Sequence, residues 1–430
     1  MPAIQLSYGE TGLRLDLDDA RFATTVILPA DPPAHANAKA AFAAAVSTPY
    51  GARPLADVGR SLKPGAKVAI AIADHTRPVP DRLLVPWIVE TLGVRDEQVV
   101  ILIGTGTHRG STPDELKRML GDAAGHFRII NHDCQDQANL VLVGRSSCGG
   151  ECWLNRAWVE ADCRIGTGFI EPHFFAGFSG GSKSIVPGIA GLITIQHFHR
   201  SRLIAHPGTT WGDVARNPLQ ALTREMTALC PPHFIVNVTL NLTKQITAVF
   251  AGETIAAHNA GCAMALHEAM QPVARRFPVV VTTNSGYPLD QNFYQTVKGI
   301  SAASRIVESG GTIVVASRCN AGLPNEGEFR KLLSDPRSSA DLLKAILANE
   351  KTPHDQWQVQ TLLQCLQHAE IILCSSLSAD DRRATRTKHT DDVGRTLEDL
   401  RTKHGQARLP VAVMPMGPLT IPVLQADASH

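Results

Sequence analysis

Short runs of β-branched and other apolar residues recur along the chain, separated by amphipathic stretches. Lys67 to Ala73 (KVAIAIA), Val99 to Ile103 (VVILI), Phe127 to Ile130, Leu140 to Val143 and Arg164 to Gly168 read as strands of a first domain. Phe277 to Thr283 (FPVVVTT), Thr312 to Ala316, Ile371 to Cys374 and Val411 to Met414 read as strands of a second. Nearly continuous apolar strands alternating with helices predict α/β architecture with mainly parallel sheets covered on both faces. One helix start is marked by Thr112-Pro113-Asp114-Glu115: an N-cap, a proline at the first helical position and a glutamate for a capping box. The alanine-rich stretch from Glu253 to Arg276 reads as a mostly helical connection. The boundary is therefore expected near Phe277, giving domains 1–270 and 271–430 with the active site in the cleft between them. The charged segment Asp380 to His404 is expected to be exposed.

Length and composition narrow the class. A chain of 430 residues exceeds what one core usually organises. With 44% hydrophobic and 19% charged residues it has the balance of an ordinary globular protein. Its 41 basic and 40 acidic residues leave a net charge of +1, which steers it to neither nucleic acid nor an anionic membrane. The N-terminus lacks the apolar core of a signal peptide, and no run reaches the length of a membrane span. Nine cysteines without a framework read as free thiols, so a cytoplasmic location is the expectation.

In open parallel sheets, ligands gather beyond the carboxyl ends of the strands, so the loops after strands are where chemistry is sought. Asp74-His75-Thr76-Arg77-Pro78 follows the first strand and offers a planar guanidinium suited to a carboxylate or phosphate. Gly104-Thr105-Gly106-Thr107-His108 follows the second and puts an imidazole beside a glycine turn. It lacks the third glycine of a dinucleotide fingerprint. The segment Glu171-Pro172-His173-Phe174-Phe175-Ala176-Gly177-Phe178-Ser179-Gly180-Gly181-Ser182-Lys183-Ser184 combines flexible backbone, hydroxyls and a lysine. It imitates a P-loop, but Ser182 stands where the second glycine belongs. A lysine there suits a covalent anchor, because a desolvated amine is nucleophilic. Four of the 17 histidines fall between His173 and His206, which favours a metal or acid–base site. His197 and His199 point the same way only in an extended segment, so one ligand and one bystander are expected. Cys148 and Cys152 flank a glycine turn and read as two free thiols. In the second domain a helix from about Leu289 would align Gln291, Tyr294 or Gln295, and Lys298 in one polar stripe. Trp357 reads either as a core residue or as a cover for an apolar substrate part.

Together the motifs DHTRP, GTGTH, PHFFAGFSGGSKSIVPG, QNFYQTVKG and DQWQ, with His199, resemble the lactate racemase family over most of the chain. That family uses a nickel pincer nucleotide, a pyridinium mononucleotide whose sulfurs and ring carbon hold one nickel ion. The resemblance implies a cofactor-binding domain followed by a domain contributing pocket residues. Lys183 would carry the cofactor covalently, and His199 would complete the nickel coordination. His108 and His173 would be the two bases, one for each enantiomer of a 2-hydroxy acid. Arg77 and Lys298 would hold the substrate; Gln295, Tyr294 and Trp357 would line its pocket. Asp74, counted with Ser179 among the residues serving the cofactor, would sit behind Arg77. The implied reaction removes a hydride and a hydroxyl proton to give a 2-keto acid, then returns them to the other face. Host proteins that build the cofactor are implied as partners. Two other readings compete: a nucleotide-dependent kinase or ligase using the GFSGGSKS loop, and a non-enzymatic metal- or cofactor-binding protein.

Overall fold

A computed structural model describes residues 3–324 and 327–425. The chain divides into two compact units, one of Asp31–Glu268 and one of Met1–Ala30 with Ala269–His430. The second unit therefore takes in the first thirty residues, which a cut at residue 270 assigns to the N-terminal domain. The cause is a strand: Phe22–Val26 pairs in parallel with Leu409–Met414 at the edge of the second sheet.

The Asp31–Glu268 unit holds a six-stranded sheet in the order Ile246–Gly252, Phe234–Leu240, Cys163–Phe169, Val68–Ala73, Val99–Gly104, Arg128–Asn131. All neighbours are parallel except the first pair. Val68 to Ile72 are wholly buried, as a strand covered on both faces must be. The chain builds outward from Val68–Ala73 to Arg128–Asn131 and then crosses to Cys163–Phe169 on the other side. The crevice between the Val68–Ala73 and Cys163–Phe169 strand ends is thus the topological switch point, where such sheets bind ligands. The run Leu140 to Val143, expected as a strand of this domain, lies in the strand Leu140–Arg145, which stands outside this sheet in a separate antiparallel pair with Glu151–Asn155. Cys148 and Cys152 lie in that hairpin, and both are free thiols.

The other unit has six strands, all parallel, ordered Lys388–Thr390, Glu370–Cys374, Val307–Ala316, Phe277–Thr283, Leu409–Met414, Phe22–Val26. Its switch point lies between Phe277–Thr283 and Leu409–Met414. There Thr283 Oγ1 donates to Pro415 O at 2.9 Å and Ser285 Oγ to Met416 O at 2.5 Å. The connection begins with the helix Thr254–Ala269, as its alanines suggest, and ends in the strand Met270–Val273. The segment 380–404 is less open than its charge suggests: Val393, Leu397 and Leu400 of the helix Val393–Lys403 are buried. Among the described residues no helix is long and apolar enough to cross a membrane.

Candidate active site

The loops at the switch point of the Asp31–Glu268 unit converge. Val68–Ala73 delivers Asp74 and Arg77, Val99–Gly104 delivers His108, and Cys163–Phe169 delivers Glu171 and His173. Asp74 is buried, and its Oδ2 lies 2.7 Å from His108 Nδ1 while its Oδ1 accepts from Thr76 Oγ1 at 2.6 Å. Burial pushes the Asp74 carboxyl up, but His108, by charge and hydrogen bond, outweighs it with help from His75 and Arg77. The group is held well below the ordinary carboxylate range. Asp74 therefore holds His108, not Arg77. Parallel neighbouring strands bring residues 74 and 108 side by side, a pairing that proximity in sequence hides.

Arg77 is held by Glu171 instead, with Nε 3.2 Å from Oε1 and both side chains mostly buried. Sequence reading gave Glu171 no role. The signal was present, since it is the only Asp, Glu, Lys or Arg between Ile165 and Ser182. One further brace was missed. Arg109 makes a forked pair with Glu115 at 2.7 and 2.8 Å, tying the His108 loop to the helix Pro113–Leu120. The Thr112–Glu115 capping box at the start of that helix forms as expected.

The loop Pro172–Ser184 is a hairpin followed by a short 3-10 turn. Pro172–His173 pairs antiparallel with Gly177–Phe178, and Gly181–Ser184 makes the turn. This is not the strand–loop–helix of a phosphate-binding P-loop. Gly180 and Gly181 have φ of +79° and +56°, and a Cβ would meet Asn237 Oδ1 at 2.7 Å and His258 Cγ at 2.5 Å respectively. Asn237 Oδ1 accepts from Gly181 N at 2.7 Å, and His258 Nε2 donates to Ser179 O at 2.9 Å. Burial lowers His258 to about 4, so it serves as a neutral donor. Ser179 Oγ is engaged within the protein: it donates to Phe169 O at 2.6 Å and accepts from Glu171 N at 3.1 Å. It thereby helps to position Glu171.

This clamped turn carries Lys183. Burial, reinforced by the Arg77 guanidinium, brings its amine down to about 7 against the opposing pull of Glu171 and Asp74. His173 is buried, and its Nδ1 accepts from the N–H groups of Phe175 and Ala176, each at 3.2 Å. His199 caps the helix Leu192–Phe198, and its Nδ1 donates to Ile195 O at 3.0 Å. His197, on the same helix, turns to Cys148, with Nε2 3.2 Å from Sγ. Helical geometry separates the two rings, as expected of residues two apart. Among the described residues no three or more of His, Cys, Asp or Glu group in a way that could hold a metal ion.

In the other unit the helix runs over Phe293–Ala303, starting later than Leu289 because Asn292, in extended conformation, caps it through Gln295 N at 2.9 Å. Gln291 thus precedes the helix. Lys298 Nζ donates to Gln295 Oε1 at 2.6 Å. Trp357, 2% exposed, donates from Nε1 to Tyr294 Oη at 2.8 Å. Of the residues singled out in the sequence, Asp74 thus pairs with His108 in one unit, and Lys298 with Gln295 and Trp357 with Tyr294 in the other.

Comparison with known proteins bears on what this machinery serves. Family models for the lactate racemase N-terminal domain and the lactate racemase C-terminal domain match residues 8–212 and 274–421. The lactate racemase of Thermoanaerobacterium thermosaccharolyticum is 35% identical over 379 residues, 87% of this chain and 88% of the relative. That of Lactiplantibacillus plantarum is 34% identical over 388 residues, 89% and 90% of the two chains. The lactate racemase apoprotein structure from T. thermosaccharolyticum superimposes with a TM-score of 0.88 at 32% identity, covering 98% of this chain and 100% of that one. A Thermotoga maritima protein shares the fold at 18% identity, with a TM-score of 0.69 over 86% of this chain and 96% of that one. The fold and these relatives define an enzyme of the isomerase class. Within it, the chain belongs to the lactate racemase family.

Proposed function

We propose that this chain interconverts the enantiomers of lactate, or of a closely related 2-hydroxy acid, with the help of a nickel pincer nucleotide. The observation that carries the reading is the cluster at one switch point: the Asp74–His108 pair, the Arg77–Glu171 pair, His173 and a buried amine brought to about 7. The residues present fit the implied cofactor. His199 donates from Nδ1 to a carbonyl, which leaves Nε2 as the lone-pair nitrogen that a metal takes. Lys183 is substantially neutral near pH 7 and can act as the nucleophile of a covalent linkage. Lys183 would anchor the cofactor and His199 would supply the protein's ligand to nickel; proteins that assemble the cofactor are the partners this requires.

When bound, the cofactor would supply the hydride acceptor that the protein's own side chains lack. Everything else falls to the chain. Arg77, steadied by Glu171, presents guanidinium N–H groups to the substrate carboxylate, so that the planar keto acid reorients without leaving. His108 and His173 exchange the hydroxyl proton, one acting as base while the other acts as acid. Tyr294, Gln295, Lys298 and Trp357 carry the further expectation of substrate contact.

The test is coexpression with nickel and the cofactor-building proteins, followed by intact mass, metal content and chiral analysis of lactate. The expected result is a nucleotide-sized added mass, near-stoichiometric nickel, and an equal mixture of enantiomers from pure L-lactate. Lys183→Ala should lose the added mass. A loaded protein that leaves L-lactate and related 2-hydroxy acids unchanged would overturn the reading.

A further inference from the structure

The two site histidines are held in ways that assign their protons differently. A carboxylate can only accept, so the 2.7 Å contact between Asp74 Oδ2 and His108 Nδ1 requires a proton on Nδ1. In the neutral ring, His108 Nε2 is then the lone-pair nitrogen. His173 is fixed the opposite way. Its Nδ1 faces two backbone N–H groups, of Phe175 and Ala176, which can only donate. That nitrogen must be the acceptor, and in the neutral ring the proton sits on Nε2.

We propose that His108 and His173 rest in opposite tautomers, with Asp74 the positioning residue that makes the difference. This rests on the racemase reading for its consequence but not for its geometry. A hydroxyl facing His108 meets an acceptor; one facing His173 meets a donor. When His108 Nε2 takes the hydroxyl proton, the ring becomes a cation with both nitrogens protonated, and the Asp74 carboxylate stabilises it, as the aspartate of a serine-protease triad does for its histidine. When His173 takes a proton, its ring must first turn Nδ1 away from the two N–H groups, or else set N–H against N–H. The enantiomer whose hydroxyl faces His173 therefore needs an added rearrangement. Enantiomers are equal in energy, so kcat/KM is the same in both directions. The asymmetry then shows as kcat and KM differing between enantiomers by a common factor.

The experiment is a two-bond proton–nitrogen correlation spectrum of the cofactor-free protein, labelled with nitrogen-15 histidine and read at about pH 8, where imidazoles are mostly neutral. Spectra of His108→Gln and His173→Gln assign the two rings. The expected pattern is Nδ1–H for His108 and Nε2–H for His173. Asp74→Ala should lose the Nδ1–H pattern at His108 and leave His173 as it was; Asp74→Asn, which keeps an acceptor oxygen, should retain it. One tautomer shared by both rings of the parent, or an unchanged His108 in Asp74→Ala, overturns the proposal. If Asp74→Ala fails to fold, the parent spectrum decides alone. Since neither nickel nor cofactor is present, this result is independent of whether the loaded enzyme racemises lactate.

Discussion

Lys183 concentrates the electrostatic tension of the site. An amine buried beside a guanidinium is brought to about 7, while the unfolded chain keeps it near the ordinary lysine value of about 10.4. The sign of the linkage follows. Below pH 7 the folded protein must hold a buried ammonium, and the cost is full. Between about 7 and 10.4 the unfolded chain binds a proton that the folded one does not, so stability rises with pH and the cost fades. Lys183→Met removes the amine altogether. The cofactor-free variant should be more stable than the parent by on the order of 3 kcal/mol at pH 6, with the gain shrinking to half or less by about pH 9. Urea unfolding at the two pH values measures it. A gain independent of pH would mean that the benefit comes from packing, not from the charge.

At the scale of elements, what could be read from the sequence was what is local. The buried strands announce themselves as apolar runs, and the Thr112–Glu115 box fixes a helix start within four residues. Partners set by topology were hidden. Leu140–Arg145 has a strand's composition, but nothing in it says that it pairs with Glu151–Asn155 and not with the main sheet. Asp74 was paired with its neighbour in sequence, Arg77, whereas adjacent parallel strands deliver it to His108. The helix Asp81–Leu92 offers a test of such a hidden contact. Its first residue, Asp81, is buried and accepts from Thr167 Oγ1 on the Cys163–Phe169 strand at 2.7 Å. Burial raises its carboxyl to about 7 despite that hydrogen bond. The unfolded group ionises near 3.9, so no cost exists below that value. The cost grows as pH rises to 7 and is constant above. Asp81→Asn keeps the acceptor for Thr167 without the charge. It should stabilise the protein by on the order of 2–4 kcal/mol at pH 8 and not at all at pH 4. Thermal midpoints at both values check this; equal shifts at both would show that Asp81 is ionised in the fold to no cost.

At the scale of the whole molecule, one unit joins the first thirty residues to those from Ala269 on, and this decides how the chain can be divided. Among the described residues, a core cluster of the Asp31–Glu268 unit runs from Phe42 to Ala251. The other core draws Ile4, Leu6, Leu15, Leu17 and Phe22 from the first thirty residues onto strands that follow residue 276. Five apolar side chains at about 1.5–3 kcal/mol each contribute on the order of 10 kcal/mol, as much as the net stability of a typical domain. Losing them also uncovers the apolar Leu409–Met414 strand as a sheet edge, a template for aggregation. A fragment of residues 31–268 should therefore be soluble and melt cooperatively. One of residues 269–430 should aggregate when expressed alone and regain solubility on coexpression with residues 1–30. Size-exclusion chromatography and circular-dichroism melts of the three preparations decide it. If residues 269–430 stay monomeric and melt cooperatively alone, the N-terminal strand is an accessory to that unit, and the boundary at residue 270 suffices to separate the two.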